Sequence, residues 1–232
     1  REYDESGYFD WYNSESALLK AERRIRLLNK FSYGYGSEYK YDSGSFTNNG
    51  SWSTPSAKGY VDNIGFFGNM GYDFSQNTKL SIYGRLDNHK TTETNKTYKI
   101  NLSKYFNKFN FSITQSTGLR NPSLYELYGN NGRSDAYKHV PNPNANPEKS
   151  KTNELKIEYL IDEKLSLENI FYKSKIEDAL LYNSNYNGGS GYTNEKSDLN
   201  QKGIESALIF KNNNHQFKLY NTISSSRQAD GS

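Results

Sequence analysis

Several residue types and patterns are missing from this sequence. It has no cysteine among its 232 residues, which excludes a disulfide framework and a thiolate metal site. No apolar run approaches the roughly 20 residues that a membrane-spanning helix requires. The 29 basic and 26 acidic residues are spread along the chain without a block of like charge. We therefore expect neither a helical membrane protein nor a nucleic-acid partner.

Apolar residues are scarce, whereas aromatic residues are abundant. Apolar side chains make up 33% of the chain and its mean hydropathy is -0.98, so a soluble core of ordinary size is hard to build. Yet 21 tyrosines and 12 phenylalanines are too many for a disordered segment. A transmembrane β-barrel satisfies both observations, because only alternate residues face lipid while the others face a polar lumen.

Period-two alternation of apolar and polar residues recurs along the chain. It is clear at 80–87, 98–103 and 109–114, where every second residue is apolar or small, as in a strand with one apolar and one polar face. The pattern predicts about ten strands, near 16–27, 30–42, 58–74, 79–91, 96–106, 109–119, 152–161, 165–182, 191–210 and 215–227.

The predicted connections alternate in length. Short turns are predicted at 75–78, 106–108, 161–164 and 211–215, and longer links at 42–57, 91–95, 120–151 and 183–190. Outer-membrane barrels have short periplasmic turns and long extracellular loops, so this order predicts that 120–151 lies outside the cell. A soluble antiparallel sandwich or solenoid would also alternate, but such folds seldom sort their loops by length.

Two motifs identify a family resemblance. The first is Gly-Leu-Arg-Asn-Pro-Ser-Leu-Tyr-Glu-Leu-Tyr-Gly at 118–129, followed by Asn-Pro-Asn-Ala-Asn-Pro-Glu-Lys-Ser-Lys at 142–151. The second is a Tyr-Lys-Ser-Lys-Ile-Glu segment at 172–177, followed by Tyr-Thr-Asn at 192–194 and Lys-Gly-Ile-Glu at 202–205. In this order they resemble the barrel strands and long outer loop of TonB-dependent outer-membrane receptors.

The resemblance implies both a fold and a function. The fold is an all-β, antiparallel transmembrane barrel wall, with about ten strands of an expected total of about 22. Residues 1–232 would be part of the barrel domain, without the plug domain and the terminal strands. The function would be uptake of cobalamin, our first choice, or a ferric siderophore through the outer membrane of a Gram-negative bacterium. The implied partners are outer-membrane lipid and, through the plug, the TonB complex.

The long loop and the following glycine-rich segment contain the candidate ligand-binding residues. Aromatic faces and hydrogen-bond donors hold large, rigid ligands, and an arginine suits an anionic siderophore or a phosphate-bearing ligand. In the glycine-rich segment 183–192, two tyrosines flank the glycines. This segment is either a mobile gate over the lumen or a simple hairpin tip. The candidates are Tyr125, Tyr128, Asn130, Arg133, Tyr137, His139, Tyr186 and Tyr192. By contrast, we expect Leu124 and Leu127 to pack a short helical turn against the barrel rim.

No pattern of catalytic residues is apparent. The three histidines, at 89, 139 and 215, are scattered, and none is paired with a nucleophile at a recognised spacing. Carboxylates of the long loop, such as Glu126, Asp135 and Glu148, show no calcium-binding series. We therefore expect no enzyme, no metal site and no cofactor. Two alternatives remain, a passive porin and a soluble glycan-binding β-protein.

Overall fold

A computed structural model describes residues 10–27, 30–48, 57–129 and 138–228. It contains the strands β1 (Asp10–Leu27), β2 (Phe31–Asn48), β3 (Ala57–Ser75), β4 (Thr78–His89), β5 (Thr92–Phe106), β6 (Phe109–Arg120), β7 (Glu148–Leu160), β8 (Leu165–Glu177), β9 (Leu180–Tyr186), β10 (Gly189–Asn194), β11 (Leu199–Lys211) and β12 (Gln216–Gln228). A short helix, α1 (Leu124–Tyr128), lies between β6 and β7. In this part of the chain no helix is long and apolar enough to cross a membrane.

Ten of the strands form one antiparallel sheet. Its order is β1-β2-β3-β4-β5-β6-β7-β8-β11-β12, so each strand pairs with its neighbour in the chain except where β11 follows β8. The intervening strands, β9 and β10, form a separate two-stranded hairpin. The predicted all-β, antiparallel fold is confirmed, and the sheet is an open, unclosed part of a barrel wall.

The predicted strands at 165–182 and 191–210 are wrong, because each runs across a break. Asp178 has a positive φ of 55°, which ends β8 at Glu177 before β9 begins at Leu180. The break in the second predicted strand lies at 195–198, between the end of β10 and the start of β11. Between β9 and β10, Asn187 and Gly188 have φ angles of 49° and 74°, as a two-residue type I′ hairpin turn requires. Alternation continues past Asp178 to Tyr182, so periodicity alone merged β8 with the hairpin strand β9. The four polar residues at 195–198 do not alternate and separate β10 from β11.

The predicted long link at 91–95 is also wrong. β4 ends at His89 and β5 begins at Thr92, so their connection is as short as those at the opposite end of the sheet. The strict short-long alternation therefore fails at this position. The connections 76–77, 107–108, 161–164 and 212–215 do mark one end, here the turn end. The opposite end, with 121–147 and the hairpin, is the loop end.

The two faces of the sheet differ in chemistry. On the apolar face, large side chains such as Phe66 and Leu219 are 59% and 71% exposed. On the polar face, Arg85 forms ion pairs with Glu38 and Asp87, at 2.9 and 2.8 Å. Strand residues alternate between faces, so the predicted period-two pattern is the origin of this division.

The register tilts the apolar residues across the sheet. Among the side chains that the structure describes, large apolar residues of the apolar face extend towards the loop end to Leu19 on β1 but only to Ile223 on β12. If the cross-strand partner of Ile223 is followed from strand to strand across the sheet, the last partner is Leu27 on β1, which is eight residues from Leu19. We call such a line of partners a ladder row. The offset is about 26 Å along a strand and about 43 Å across nine strand steps. For the apolar residues to form a band perpendicular to the barrel axis, the strands must be tilted from that axis by roughly 30°, which is close to the tilt of known barrels.

Candidate functional site

The helix α1 begins with a reciprocal cap. The Glu126 backbone N–H donates to Ser123 Oγ at 3.2 Å, and the Ser123 backbone N–H donates to Glu126 Oε2 at 2.6 Å. This capping box satisfies two helix N–H groups that would otherwise lack partners. Arg120 Nη1 also donates to both Glu126 carboxylate oxygens, each at 3.1 Å. The turn is therefore anchored to the end of β6.

α1 packs against the polar face of β2 and β3. Leu127 is fully buried and forms the small apolar core with Val61, Ala145 and Leu180. A Cβ atom at Gly59 would lie 2.0 Å from the Tyr128 ring, so the absence of a side chain there allows the helix to approach. The expectation that Leu127 packs rather than binds is confirmed, and the long loop folds inward over the wall.

Glu148 joins three segments at the loop end. Its carboxylate accepts hydrogen bonds from Arg120 Nε and from the Leu180 backbone N–H, the latter at 2.7 Å. Burial opposes its ionisation, but the hydrogen bonds from Arg120 and Leu180 outweigh burial and hold the pKa of Glu148 below its usual value. The charged carboxylate thus ties the start of β7 to β6 and to the hairpin.

The hairpin and the long loop are joined by further hydrogen bonds. Val140 N–H donates to the Ser190 carbonyl at 2.7 Å, and Ser190 N–H donates to the Lys138 carbonyl at 2.8 Å. Asn142 Nδ2 donates to the Tyr192 carbonyl at 3.0 Å, and Asn194 Nδ2 donates to the Asn146 carbonyl at 3.0 Å. We call α1, residues 138–147 and the β9–β10 hairpin together the cap.

A row of aromatic rings crosses the cap. Tyr125 stacks on His139 at 4.6 Å between ring centroids, with an interplanar angle of 20°. His139 meets Tyr192 edge-on at 5.9 Å, and Tyr192 meets Tyr182 at 5.8 Å. The row continues on the wall side to Phe46 and Tyr12.

The row is buried at its centre and exposed at its two ends. His139 is 6% exposed, whereas Tyr12 and Tyr182 are 61% and 59% exposed. Burial lowers the pKa of His139, and a hydrogen bond with the Tyr125 backbone only partly opposes this. His139 is therefore neutral at pH 7, and the row presents uncharged ring faces and edges at the loop end.

The structure brings three predicted site residues together and separates others. Tyr125, His139 and Tyr192 share the aromatic row, whereas Tyr128 packs over Gly59 and Tyr186 packs beside Gly191 at the hairpin tip. The remaining candidates lie outside the described residues, namely Asn130, Arg133 and Tyr137. As ligand contacts, all eight stay predictions.

Sequence reasoning missed three members of the row, Tyr12, Phe46 and Tyr182. Each belongs to a strand in which tyrosine or phenylalanine is common, so nothing local distinguished these three from the other aromatic residues of the strands. The Asn187-Gly188 dipeptide was the one available signal, because it favours a tight hairpin that would bring Tyr182 opposite Tyr192.

A polar cavity of about 420 Å³ lies between the start of the long loop and the wall. Lys40 and Asp42, an ion pair at 2.7 Å, form part of its lining together with the buried His89. Among the described residues, no cluster of three His, Asp or Glu side chains could hold a metal ion. The cavity can therefore hold water or a polar group of a ligand, and the aromatic row can hold an extended rigid one.

Comparison with known proteins assigns the family. Residues 1–230 match the profile described as "TonB dependent receptor-like, beta-barrel". The chain belongs to this family of TonB-dependent receptors. Among curated protein sequences, none matches the chain.

Solved receptor structures share the fold. The siderophore receptor PirA from Pseudomonas aeruginosa is 17% identical with a TM-score of 0.74, and the match covers 95% of this chain and 44% of that one. The copper transporter OprC is 14% identical with a TM-score of 0.74, over 95% of this chain and 38% of its own. The Serratia marcescens hemophore receptor HasR, solved with its hemophore HasA and heme, is 15% identical with a TM-score of 0.71, over 95% and 42%. This receptor chain thus spans less than half the length of these structures.

Proposed function

We propose that this chain is part of an outer-membrane receptor that takes up a ferric siderophore or cobalamin with energy supplied through TonB. The observation that carries the proposal is the cap, which holds an aromatic row over the polar face at the loop end. In a receptor barrel the polar face surrounds the lumen, so the row would lie at the outer opening. A ligand entering there would meet ring faces before it reached the charged wall.

The apolar face supports a membrane location. Monomeric soluble proteins rarely expose contiguous apolar patches of more than a few hundred Å². Here phenylalanine, leucine and isoleucine side chains are exposed along one face of the ten-stranded sheet, for example Phe171, Ile204 and Ile223. Lipid is the solvent that such a face requires, which disfavours a soluble glycan-binding protein. The outer membrane of a Gram-negative bacterium is the corresponding compartment for this family.

The cargo is proposed from chemistry and from the named relatives. PirA is described as a siderophore receptor and HasR as a hemophore receptor solved with heme, and heme is a large ligand with a rigid, unsaturated ring. Stacked and edge-on rings bind such ligands through area rather than charge. Because the named relatives are described as siderophore and hemophore receptors, we propose a ferric siderophore before cobalamin, which was the first choice from the sequence, with Arg133 as a proposed contact to an anionic cargo.

The test uses the full-length protein in outer-membrane vesicles. Labelled ferric siderophores and labelled cobalamin are titrated, and uptake is then measured in cells with and without TonB. We expect saturable binding of one cargo, uptake that requires TonB, and a binding loss of about tenfold or more in Tyr125→Ala and Tyr192→Ala, the range expected for losing one aromatic contact.

Tyr220→Ala is the matched control, because Tyr220 lies on the polar face of β12 away from the cap and is 66% exposed. It should bind cargo as the parent does. Non-saturating passage of small solutes without any high-affinity cargo would instead identify a passive porin and overturn the proposal.

A further inference from the structure

Basic side chains lie next to the apolar residues of β7, β8, β11 and β12, on the side towards the loop end. On the apolar face, one ladder row contains Leu155, Phe171, Ile204 and Ile223. The next two rows towards the loop end contain the basic residues Lys151, Lys173, Lys175, Lys202 and Arg227. All five are exposed, and we call them the basic belt.

Like charges face one another within the basic belt. Lys173 is the direct cross-strand partner of Lys202, and Lys151 is the direct partner of Lys175. Like charges directly opposite each other destabilise a sheet. Within the described ranges, only Lys175 of these four has an acidic partner, with Glu177 and Asp198 both at 2.8 Å. The arrangement therefore calls for an external anion.

A groove adjoins the basic belt. The β5–β6 ladder ends at the pair Lys99 and Ser116, above which the Tyr98 backbone N–H donates instead to Thr117 Oγ1 at 2.9 Å. The strands separate beyond this point and leave a groove of about 350 Å³. Its lining includes four lysines, namely Lys96, Lys149, Lys151 and Lys175, and one carboxylate, Glu177.

The rest of the apolar face does not repeat this charge pattern. At the loop end of β1 and β3 the residues of the same face include Glu15 and Asp62 beside Lys58, so acidic and basic groups are mixed. At the turn end, Asp162 and Glu163 stand beside Lys164. At the loop end of the described sheet, the cationic excess of the apolar face is thus confined to this one strip, whereas the turn end has further exposed lysines, among them Lys30, Lys164 and Lys211.

We propose that the basic belt and its groove bind a phosphorylated glycolipid of the outer leaflet. Its phosphate groups accept charge-assisted hydrogen bonds from the lysines, and its acyl chains lie along the apolar rows below. The position supports a lipid rather than a free anion, because the charges adjoin the apolar face without a gap. This inference depends on the proposed outer-membrane location, but not on the cargo or on TonB.

The experiment measures lipid binding to the purified full-length protein. Delipidated protein in neutral detergent is titrated with bis-phosphorylated lipid A, with the same lipid lacking its phosphates, and with inorganic phosphate, using native mass spectrometry. We expect about tenfold or greater preference for the phosphorylated lipid, since each lysine near an anionic lipid surface contributes about fivefold. A second arm compares the triple variant Lys151→Gln, Lys173→Gln, Lys202→Gln with the parent.

A matched triple variant serves as control. Lys30→Gln, Lys164→Gln and Lys211→Gln remove the same charge from exposed positions at the turn end, and this protein should bind the lipid as the parent does. The basic-belt variant should bind about tenfold or more weakly and should fold at least as well in lipid-free detergent, because two like-charge pairs are relieved.

Equal binding of the two lipids, or of lipid by parent and basic-belt variant, would overturn the inference. Equal binding of inorganic phosphate would also overturn it, by assigning the basic belt to free anions. A receptor that imports its cargo but lacks this lipid selectivity would refute the lipid site alone. Lipid selectivity without cargo uptake would refute the proposed function alone.

Discussion

The wall and the cap are held together by different kinds of contact. In the wall, β1 and β2 pair without interruption from Asp10 opposite Asn48 to Leu27 opposite Phe31, so backbone hydrogen bonds carry the structure. In the cap, isolated side chains join segments that are distant in sequence, such as Glu148 to Leu180 and Asn142 to Tyr192. The wall therefore tolerates single changes on its polar face, whereas the cap depends on a few groups.

A charge on the apolar face should have the largest effect and should act on the wall. Leu208 lies on that face and is 40% exposed, and a lysine facing lipid costs roughly 2–4 kcal/mol. We expect Leu208→Lys to lower the free energy of unfolding in lipid vesicles by this amount. Glu205→Lys, on the opposite face of the same strand, should change it little. Equal destabilisation by the two variants would contradict the assignment of faces.

A methyl group at Gly59 should separate the cap from the wall. The added Cβ would lie 2.0 Å from the Tyr128 ring, and overpacking typically costs about 1–3 kcal/mol. We expect Gly59→Ala to weaken cargo binding and to speed hydrogen exchange in α1, while wall amides keep their protection. Gly84→Ala is the control, because a Cβ there meets nothing within 4 Å. Unchanged exchange in α1 would show that the helix does not depend on this contact.

Removing the Glu148 charge should loosen the hairpin from the rest of the cap. Glu148→Gln weakens the hydrogen bonds from Arg120 and Leu180, which we expect to cost about 1–2 kcal/mol locally. Hydrogen exchange at residues 180–194, corrected for intrinsic rates, measures this opening. Glu154→Gln alters a carboxylate on the same strand and face and should leave that exchange unchanged.

The same carboxylate predicts a pH dependence. Because the folded pKa of Glu148 is depressed below its usual 4.5, its stabilisation is complete above that value and is lost as the pH falls through the lowered pKa. Hairpin exchange in the parent should therefore accelerate under acid conditions. Exchange in Glu148→Gln should vary less with pH, and an equal acceleration in both proteins would exclude Glu148 as the cause.

The smallest effect is expected at the hairpin tip. Gly188 has a φ of 74° and open space around its Cβ position, so alanine there costs only backbone strain, about 1 kcal/mol. We expect Gly188→Ala to increase exchange at the tip amides, with cargo affinity reduced by less than about fivefold. Asn187→Gly, which relaxes the neighbouring turn position, is the control. A loss of cargo binding as large as that of Gly59→Ala would show that the tip itself contacts the ligand.

The wall was largely predictable, because its strands follow from the alternation of residues that are close together in the sequence. Alternation in 80–87 and 109–114 fixed which residues share a face, and the structure has strands β4 and β6 at these positions. The same local signal failed at Asp178, where one residue with positive φ ends a strand without disturbing the period. It failed again at 90–91, where polar residues suggested a longer link.

The cap could be predicted only in part. The apolar pair Leu124 and Leu127 indicated a packed helical turn, which the structure contains, whereas its capping box was not predicted. The stacking of Tyr125 on His139 and the approach of Tyr192 were not predictable. They depend on bonds between the long loop and the hairpin, whose partners lie about 50 residues apart.

The sequence alone determined the alternating strands, their two chemically distinct faces and the family motifs, because each of these is written in residues close together in the chain. The tertiary structure decided which residues from different strands became neighbours. Lys173 and Lys202 belong to two motifs about 30 residues apart in the chain, and only the ladder places them opposite each other. Tyr12 and Tyr182 likewise become the two ends of one aromatic row only when the long loop packs over Gly59. Register and loop docking are set by long-range pairing, which no local pattern encodes.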